Sequence, residues 1–315
     1  MIVIVSSDAD EHARAVMDEL RAKSKEYFLL DMSAFPQEMV LALAYNGNGG
    51  DFRLRRNGQE ISLADCRAVW WRRPGYFVPD PTIRRESHVQ FIYGECGEAF
   101  AGLWHLMPAS WINHPKRDEV AGRKVYQLKV AHDVGLITPQ TLVSNDVAEA
   151  RAFIERMGTD KVIYKAFSAT QAEWRETRLM GQAEMELLDS VRFAPVIFQE
   201  YIEAEVDLRI TVVGDQIFAA AIHSQDSAYK FDFRMDMPSV KVEAVKLPDE
   251  IESKLLDFMR HYSLVYGAID MRKRPNGEYV FLEINPAGQW LFIEGRTGQK
   301  ITAALAEKLI AFDEA

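Results

Sequence analysis

Tyr266-Gly-Ala-Ile-Asp-Met-Arg-Lys-Arg-Pro-Asn-Gly-Glu-Tyr-Val-Phe-Leu-Glu-Ile-Asn285 is the stretch on which the reading of the chain turns. Apolar residues on both sides of Pro275-Asn276-Gly277 predict two strands joined by a tight turn. If Asn276-Gly277 is a two-residue turn, Asp270 sits opposite Glu283. Period-two alternation puts Asp270 and Arg272 on one face of their strand, and Glu283 and Asn285 on one face of theirs. Directly opposed like charges destabilise a sheet, so two facing carboxylates with an added amide oxygen call for a cation between them. These are hard oxygen donors, which suits Mg²⁺, or Mn²⁺ in its place. The bland alternative, two solvated acids on a hairpin, conflicts with Ile269, Phe281, Leu282 and Ile284, which mark a buried sheet.

A hard metal on carboxylates usually serves phosphates, so cations and a slot for a base are expected upstream. Two lysines qualify: Lys124 on a predicted helix, and Lys165 at the end of the strand Val162-Ile-Tyr-Lys165. A lone lysine is more often a solvated surface group. Phe198-Gln-Glu-Tyr-Ile202 leaves an apolar strand and can offer backbone groups to an adenine edge, with Asp207 as an acceptor for ribose.

Composition agrees with a soluble enzyme. The 315 residues carry 48% hydrophobic and 27% charged side chains and a net charge of −10. That balance argues against disorder, and against a nucleic-acid coat, which needs an excess of Lys and Arg. No apolar run approaches the length of a spanning helix, so no membrane partner is expected. Two cysteines, Cys66 and Cys96, are too few for a disulfide scaffold or a Cys-based zinc site, and a reducing cytoplasm is the natural reading.

The N-terminus reads as β-α-β: a strand at 2–5, a helix over 11–25 and a strand at 27–30, which predicts a parallel sheet covered by helices. Residues 46–50 read as a loop, Asn57-Gly58 as a hairpin turn, 68–71 as a strand and 86–106 as a helix. Trp111-Ile-Asn-His-Pro115 reads as a boundary. Beyond it the spacing predicts one helix over 117–134, another near 146–157, and a strand at 161–165. From 196 onward strands dominate, with one helix near 249–262.

Taken in order, Lys124, Gly135-x3-Pro139-x-Thr141, Val162-Ile-Tyr-Lys165, Gln199-Glu-Tyr-Ile202, Asp207-Leu-Arg209, Asp270 and Glu283-x-Asn285 together resemble an ATP-grasp ligase. The resemblance implies an α/β (α+β) fold with a pre-ATP-grasp domain at 1–115, a central ATP-grasp subdomain at 116–196 and a C-terminal one with the metal site at 197–315. It implies that Lys124 and Lys165 hold ATP phosphates, that Gln199, Glu200, Tyr201 and Ile202 flank the adenine, that Asp207 takes the ribose, and that Asp270, Glu283 and Asn285 hold two Mg²⁺ ions. Trp70-Trp-Arg-Arg-Pro74, Ile222-His-Ser-Gln225, Asp232-Phe-Arg234 and Glu283-Ile-Asn-Pro-Ala-Gly-Gln-Trp290 are similar to the ligases that mature microviridins and related graspetides. Such enzymes join a Glu or Asp side chain of a ribosomal precursor peptide to a Ser or Thr hydroxyl or a Lys amine, giving macrocyclic ω-esters or ω-amides. The expected partners are a leader peptide with an acidic core and a second copy of the chain, since members of that family look dimeric. One departure is that residues 167–185 hold a single glycine, Gly181, where many members of the superfamily have a glycine-rich lid.

Several side chains keep two readings. Arg72 and Arg73 hold an anionic substrate group or form surface ion pairs. Arg209 is expected on the γ-phosphate or an acyl phosphate, and Arg272 either on the transferred phosphoryl group or against Asp270. His223 is a base or a rim residue, and Asp232 and Arg234 bind peptide or lie in a solvated turn. Neither Gly-x-Ser-x-Gly nor a P-loop occurs, which fits acyl-phosphate chemistry without an enzyme-bound intermediate. Two other activities stay open: an ATP-grasp ligase joining small molecules or extending a protein tail, and a nucleotide-binding module without turnover.

Overall fold

The computed structural model describes residues 1–47, 49–56, 58–167, 177–226 and 240–315. The N-terminal part runs β1 (Ile2–Val5), α1 (Glu11–Ala22), β2 (Tyr27–Leu30), β3 (Met39–Asn46), β4 (Gly49–Arg56), β5 (Gln59–Ser62), β6 (Ala68–Trp71), α2 (Glu86–Leu106) and β7 (Ser110–Ile112). Its main sheet has the order β2-β1-β6-β7 and is parallel throughout, as the β-α-β reading predicts. Helix α1 starts where it does because Asp10 Oδ1 accepts from the backbone N–H of His12 (2.9 Å) and Ala13 (3.2 Å). The stretch expected as a loop at 46–50 instead lies where β3 meets β4 in a small antiparallel sheet, with Asn46 opposite Gly49. Between β4 and β5, Arg56 pairs with Gln59; Asn57 of the expected Asn57-Gly58 turn lies outside the described residues.

The middle part holds α3 (Pro115–Ala121), α4 (Lys124–Asp133), β8 (Thr141–Ser144), α5 (Val147–Met157), β9 (Val162–Lys165), β10 (Arg178–Leu179), α6 (Gln182–Glu186) and β11 (Val196–Glu200), with sheet order β10-β9-β11-β8. The single helix expected over 117–134 is two helices. The chain breaks at Gly122-Arg123, and the buried Gln127 side chain stabilises the break. Its Nε2 donates to Ala121 O (2.6 Å) and Ile284 O (3.0 Å), and its Oε1 accepts from Ile284 N (3.0 Å). Lys124 thereby becomes the first residue of α4.

The C-terminal part holds β12 (Val206–Val213), β13 (Gln216–Ile222), β14 (Val242–Val245), α7 (Asp249–Tyr262), β15 (Tyr266–Lys273), β16 (Tyr279–Asn285), α8 (Leu291–Thr297) and α9 (Ile301–Glu314). Its sheet is antiparallel, in the order β14-β13-β12-β15-β16. Helices α8 and α9 were not predicted. Ile301, Ala304, Leu305, Ala306 and Leu309 of α9 are all buried, and a helix buried on most sides lacks the one-sided periodicity by which helices are read.

The β15–β16 hairpin differs from expectation in two ways that cancel. Near the turn Lys273 faces Tyr279 and Met271 faces Phe281, so the connection is longer than two residues, with Gly277 at φ +91°. A β-bulge at Leu282 then adds one residue to β16, and Asp270 faces Glu283 after all.

Candidate active site

Cross-strand register builds the site. Between β12 and β15, Asp207 faces Arg272 and Arg209 faces Asp270; on the other side of β15, Asp270 faces Glu283. Arg209 Nη1 lies 2.8 Å and 3.0 Å from the two Asp270 oxygens, and Arg272 Nε lies 2.7 Å from Asp207 Oδ1. Glu283 is in direct contact with Lys124 Nζ. The like-charge opposition is therefore already offset by one cation on each acid. Burial alone would make the Arg209 guanidinium easier to deprotonate, but the Asp270 carboxylate outweighs it and keeps the arginine firmly charged.

Beside these acids a cleft opens between the β8-β9-β11 sheet and the α4–β16 layer. Val125, Leu128, Val143, Ile197 and Leu282 give it apolar walls, and Lys124, Lys165, Thr141, Gln199 and Glu283 supply its polar groups. Gln199 is 1% exposed and orients the second lysine: its Oε1 accepts from Lys165 Nζ (3.2 Å) and its Nε2 donates to Thr141 Oγ1 (2.9 Å). The bulge matters here, because it lets the consecutive residues Leu282 and Glu283 both line the cleft. In a regular strand they would point to opposite faces. An apolar slot ending in two lysines and Glu283, with Asp270 opposite that acid on β15, suits a planar base followed by a metal-bound polyphosphate.

Other expected residues fall differently. Asp207 is buried, with its oxygens taken by Arg272 and by Ser224 Oγ, so the ribose contact read from the sequence is not available in this arrangement. Arg272 does not pair with Asp270 or stand open to a phosphate; besides Asp207 it holds Ile202 O (2.8 Å) and stacks over the Tyr201 ring at 5.4 Å. Register is the reason, since it sets Arg272 opposite Asp207 and leaves Asp270 to Arg209. Arg209 itself is committed to Asp270 and to Gln289 O (2.9 Å), which makes it a support for the acid instead of the phosphate ligand expected. Of the adenine segment, the Tyr201 N–H is used by Lys161 O (2.8 Å), and the Glu200 carboxylate by Arg274 Nη2 (2.6 Å) and Gln140 N (3.1 Å). Arg72 is buried, contrary to the surface reading, whereas Arg73 is exposed. His223 Nε2 lies 2.7 Å from Glu243 Oε1 at the sheet edge. Asp232 and Arg234 lie outside the described residues.

Asn285 ends β16 with its Oδ1 accepting from Ala287 N (2.9 Å). Among the described residues no group of three or more His, Cys, Asp and Glu side chains converges. Were a metal held here, two carboxylates and the Asn285 amide oxygen would be the protein donors, a set whose chemistry fits a hard cation that keeps water or phosphate in its other positions. Sequence reasoning missed Gln127, Arg274, Leu282 and Asn113. Each acts through a contact between residues distant in the chain, which no local pattern announces.

Residues 121–309 match the RimK-like ATP-grasp domain. The chain belongs to the RimK-like ATP-grasp family. Residues 1–119 match the MvdD pre-ATP-grasp domain, so the two matches meet at the end of α3. Among solved structures, the macrocyclase MdnC of Microcystis aeruginosa MRC, bound with precursor peptide MdnA, is 29% identical over 98% of this chain and 99% of its own, with a TM-score of 0.88. An ATP-grasp ligase of Chryseobacterium gregarium associated with ribosomally made, modified peptides, in complex with ADP and a leader and core peptide, is 28% identical over 100% and 97%, with a TM-score of 0.90. PsnB, complexed with a phosphomimetic variant of its minimal precursor, Mg and ADP, is 26% identical over 99% and 98%, with a TM-score of 0.80. Among curated proteins no sequence matches the chain. No helix among the described residues is long and apolar enough to cross a membrane.

Proposed function

We propose that this chain is a graspetide synthetase: an ATP-dependent ligase that activates Glu or Asp side chains of a ribosomal precursor peptide and joins them to Ser or Thr hydroxyls or Lys amines as macrocyclic ω-esters or ω-amides. The full-length likeness to ligases solved with precursor peptides carries this reading. In it, the cleft takes the adenine between Leu282 and Ile197, and Lys124 and Lys165 take phosphate oxygens, Lys124 leaving Glu283 as the nucleotide enters. Asp270, Glu283 and Asn285 would hold two Mg²⁺ ions, or Mn²⁺ in their place. When bound, the metal neutralises phosphate charge.

The chain's own part is alignment and charge. Arg209 orients Asp270 and offsets its charge, and Arg272 braces the Tyr201-Ile202 segment beside the base. Exposed Arg73 is the candidate for the substrate carboxylate. That carboxylate attacks the γ-phosphorus and the bond to the ADP oxygen breaks, giving an acyl phosphate. A hydroxyl or amine then attacks the acyl carbon and expels phosphate, with His223, oriented by Glu243, as the candidate acceptor of its proton.

We place the enzyme in the cytoplasm, where the free, buried Cys66 and Cys96 stay reduced. We expect a homodimer, consistent with Phe91, Tyr93 and Leu106 left exposed on α2; light scattering checks it. The deciding experiment incubates the protein with ATP, Mg²⁺ and the precursor peptide encoded beside its gene. Products lighter by one water per ring, with matching ADP release, are expected. ADP release without mass loss would overturn the proposal, and a mass gain on a protein tail would favour the tail-extending reading instead.

A further inference from the structure

In a doubly wound parallel sheet, ligands bind beyond the carboxyl ends of the strands. Here that crevice, beyond β1, β6 and β7, is filled by Pro286-Ala287-Gly288-Gln289-Trp290 from the far end of the chain. Trp290 is fully buried, with ring centroids 4.4 Å from His12, 5.5 Å from Tyr266 and 6.0 Å from Trp70.

The backbone ahead of Trp290 is held at four successive carbonyls. Asn113 Nδ2 donates to Pro286 O (3.3 Å), Arg72 Nη1 to Ala287 O and to Gly288 O (3.0 Å), Tyr266 Oη to Gly288 O (2.8 Å), and Arg209 Nη2 to Gln289 O (2.9 Å). Arg72 is 1% exposed; its Nε lies 3.2 Å from Asp10 Oδ2 and its guanidinium 5.1 Å from the Trp290 ring centre. Asn113 also accepts from Val265 N (2.8 Å) and Tyr266 N (3.1 Å), so one side chain joins the start of β15 to the segment after β16. Gly288 packs so closely that a Cβ would lie 2.3 Å from Ala268 Cβ. This clamped segment in turn orients Asn285, because Ala287 N donates to Asn285 Oδ1 (2.9 Å) and Gly288 N to Asn285 O (3.1 Å).

We infer that Arg72 and Asn113, both from the N-terminal domain, are positioning residues that set the Asn285 amide oxygen for the metal. The inference rests on the assignment of Asp270, Glu283 and Asn285 as metal ligands. Burying an arginine costs several kcal/mol unless its charge is answered; Asp10 answers it beside Nε, Nη1 donates to the two carbonyls that precede Gln289, and Nε and Nη2 have no hydrogen-bond partner among the described residues. A fixed outer group of this kind tunes affinity at the ligand it orients.

The test measures Mn²⁺ affinity by electron paramagnetic resonance in the full-length protein with a non-hydrolysable ATP analogue, and nucleotide affinity separately without metal. Arg72→Lys keeps a charge, but its single nitrogen cannot stay beside Asp10, as Nε does, and also reach the two carbonyls that Nη1 holds; Asn113→Ala removes the second anchor. Each is expected to weaken Mn²⁺ binding by about tenfold or more, with metal-free nucleotide affinity unchanged. Thr302→Val, which deprives Trp290 Nε1 of its partner at 2.9 Å, is expected to lower Tm without moving Mn²⁺ affinity. If it weakens Mn²⁺ as much as the other two, general loosening replaces positioning and the inference falls. Should Asn285→Ala lose Mn²⁺ affinity while folded Arg72→Lys and Asn113→Ala retain it, the inference fails alone; should Asn285→Ala itself retain affinity, the metal assignment fails.

Discussion

Asp270 and Glu283 face each other, yet their surroundings make them unequal. Glu283 meets Lys124 with both side chains about a third exposed (30% and 28%), whereas Asp270 meets Arg209, whose side chain is 9% exposed. Removing a charge from a solvent-screened pair costs under about 1 kcal/mol, but removing it from beside a buried guanidinium costs about 2 kcal/mol or more. Glu283→Gln should therefore lose activity about a hundredfold with Tm nearly unchanged, while Asp270→Asn loses activity and Tm together. Turnover assays paired with thermal melts check this, and equal Tm losses would refute the asymmetry. Asp118 makes a second residue-level prediction. Burial, only partly countered by Arg72, pushes its carboxyl up from 3.8 to about 6, and its Oδ1 lacks a hydrogen-bond partner among the described residues. A folded-state pKa above the unfolded one means the native state binds the proton more tightly, so stability falls as pH rises from about 4 through 6. Asp118→Asn should stabilise the protein by about 2 kcal/mol at pH 7.5 and by almost nothing at pH 4, as read from urea midpoints. A pH-independent difference would contradict it.

Among the elements, the β15–β16 hairpin shows how a correct pairing can rest on an incorrect turn. The alternation of Ile269, Asp270 and Met271 against Phe281, Glu283 and Ile284 is visible in the sequence, and burying the apolar set selects the register. The bulge is not visible, because Leu282 reads as one more apolar strand residue. Its consequence is that Leu282 lines the cleft. Leu282→Ala should weaken nucleotide binding by roughly fivefold to thirtyfold, the loss of about 1–2 kcal/mol of apolar contact, with the metal-dependent change in fluorescence or heat still present. Unchanged nucleotide affinity in isothermal titration would remove Leu282 from the slot. The break between α3 and α4 falls at Gly122, a weak helix former inside an otherwise helical stretch, and the Gln127 contacts with Ala121 and β16, which no local pattern shows, hold it there.

At the scale of the molecule, the boundary near residue 120 divides the sequence more cleanly than it divides the core. One apolar cluster joins Ile2, Ile4 and Leu20 to Val213, Ile222, Leu305 and Leu309, and α9 packs against α1. The chain ends are also tied: the Met1 amino group contacts the Asp313 carboxylate, and Lys25 Nζ lies 2.5 Å from Glu314 Oε1. Deleting residues 300–315 would strip Ile301, Leu305 and Leu309 from that cluster at about 2–4 kcal/mol each, comparable with the whole stability of a domain. The expected result is loss of cooperative unfolding in the N-terminal domain as well, seen by calorimetry and near-ultraviolet circular dichroism. A truncated protein that keeps a sharp N-terminal transition would show the two parts to be independent. Net charge points elsewhere than the site: the chain carries −10, while Lys124, Lys165 and Arg209 gather at the cleft and its acids.

By itself the sequence determined the parallel N-terminal sheet, the hairpin with its facing acids and the two lysines of the cleft, because these depend on local alternation, turn chemistry and the order of motifs. Only the tertiary structure decided which acid each arginine holds, that Asp207 is enclosed, that Arg72 and Asn113 grip the segment after Asn285, and that α9 completes the N-terminal core. Those outcomes depend on contacts between residues 60 to 290 positions apart, such as Arg209 with Asp270 and Lys25 with Glu314. Packing and register select such contacts jointly, and no short window of sequence contains both partners.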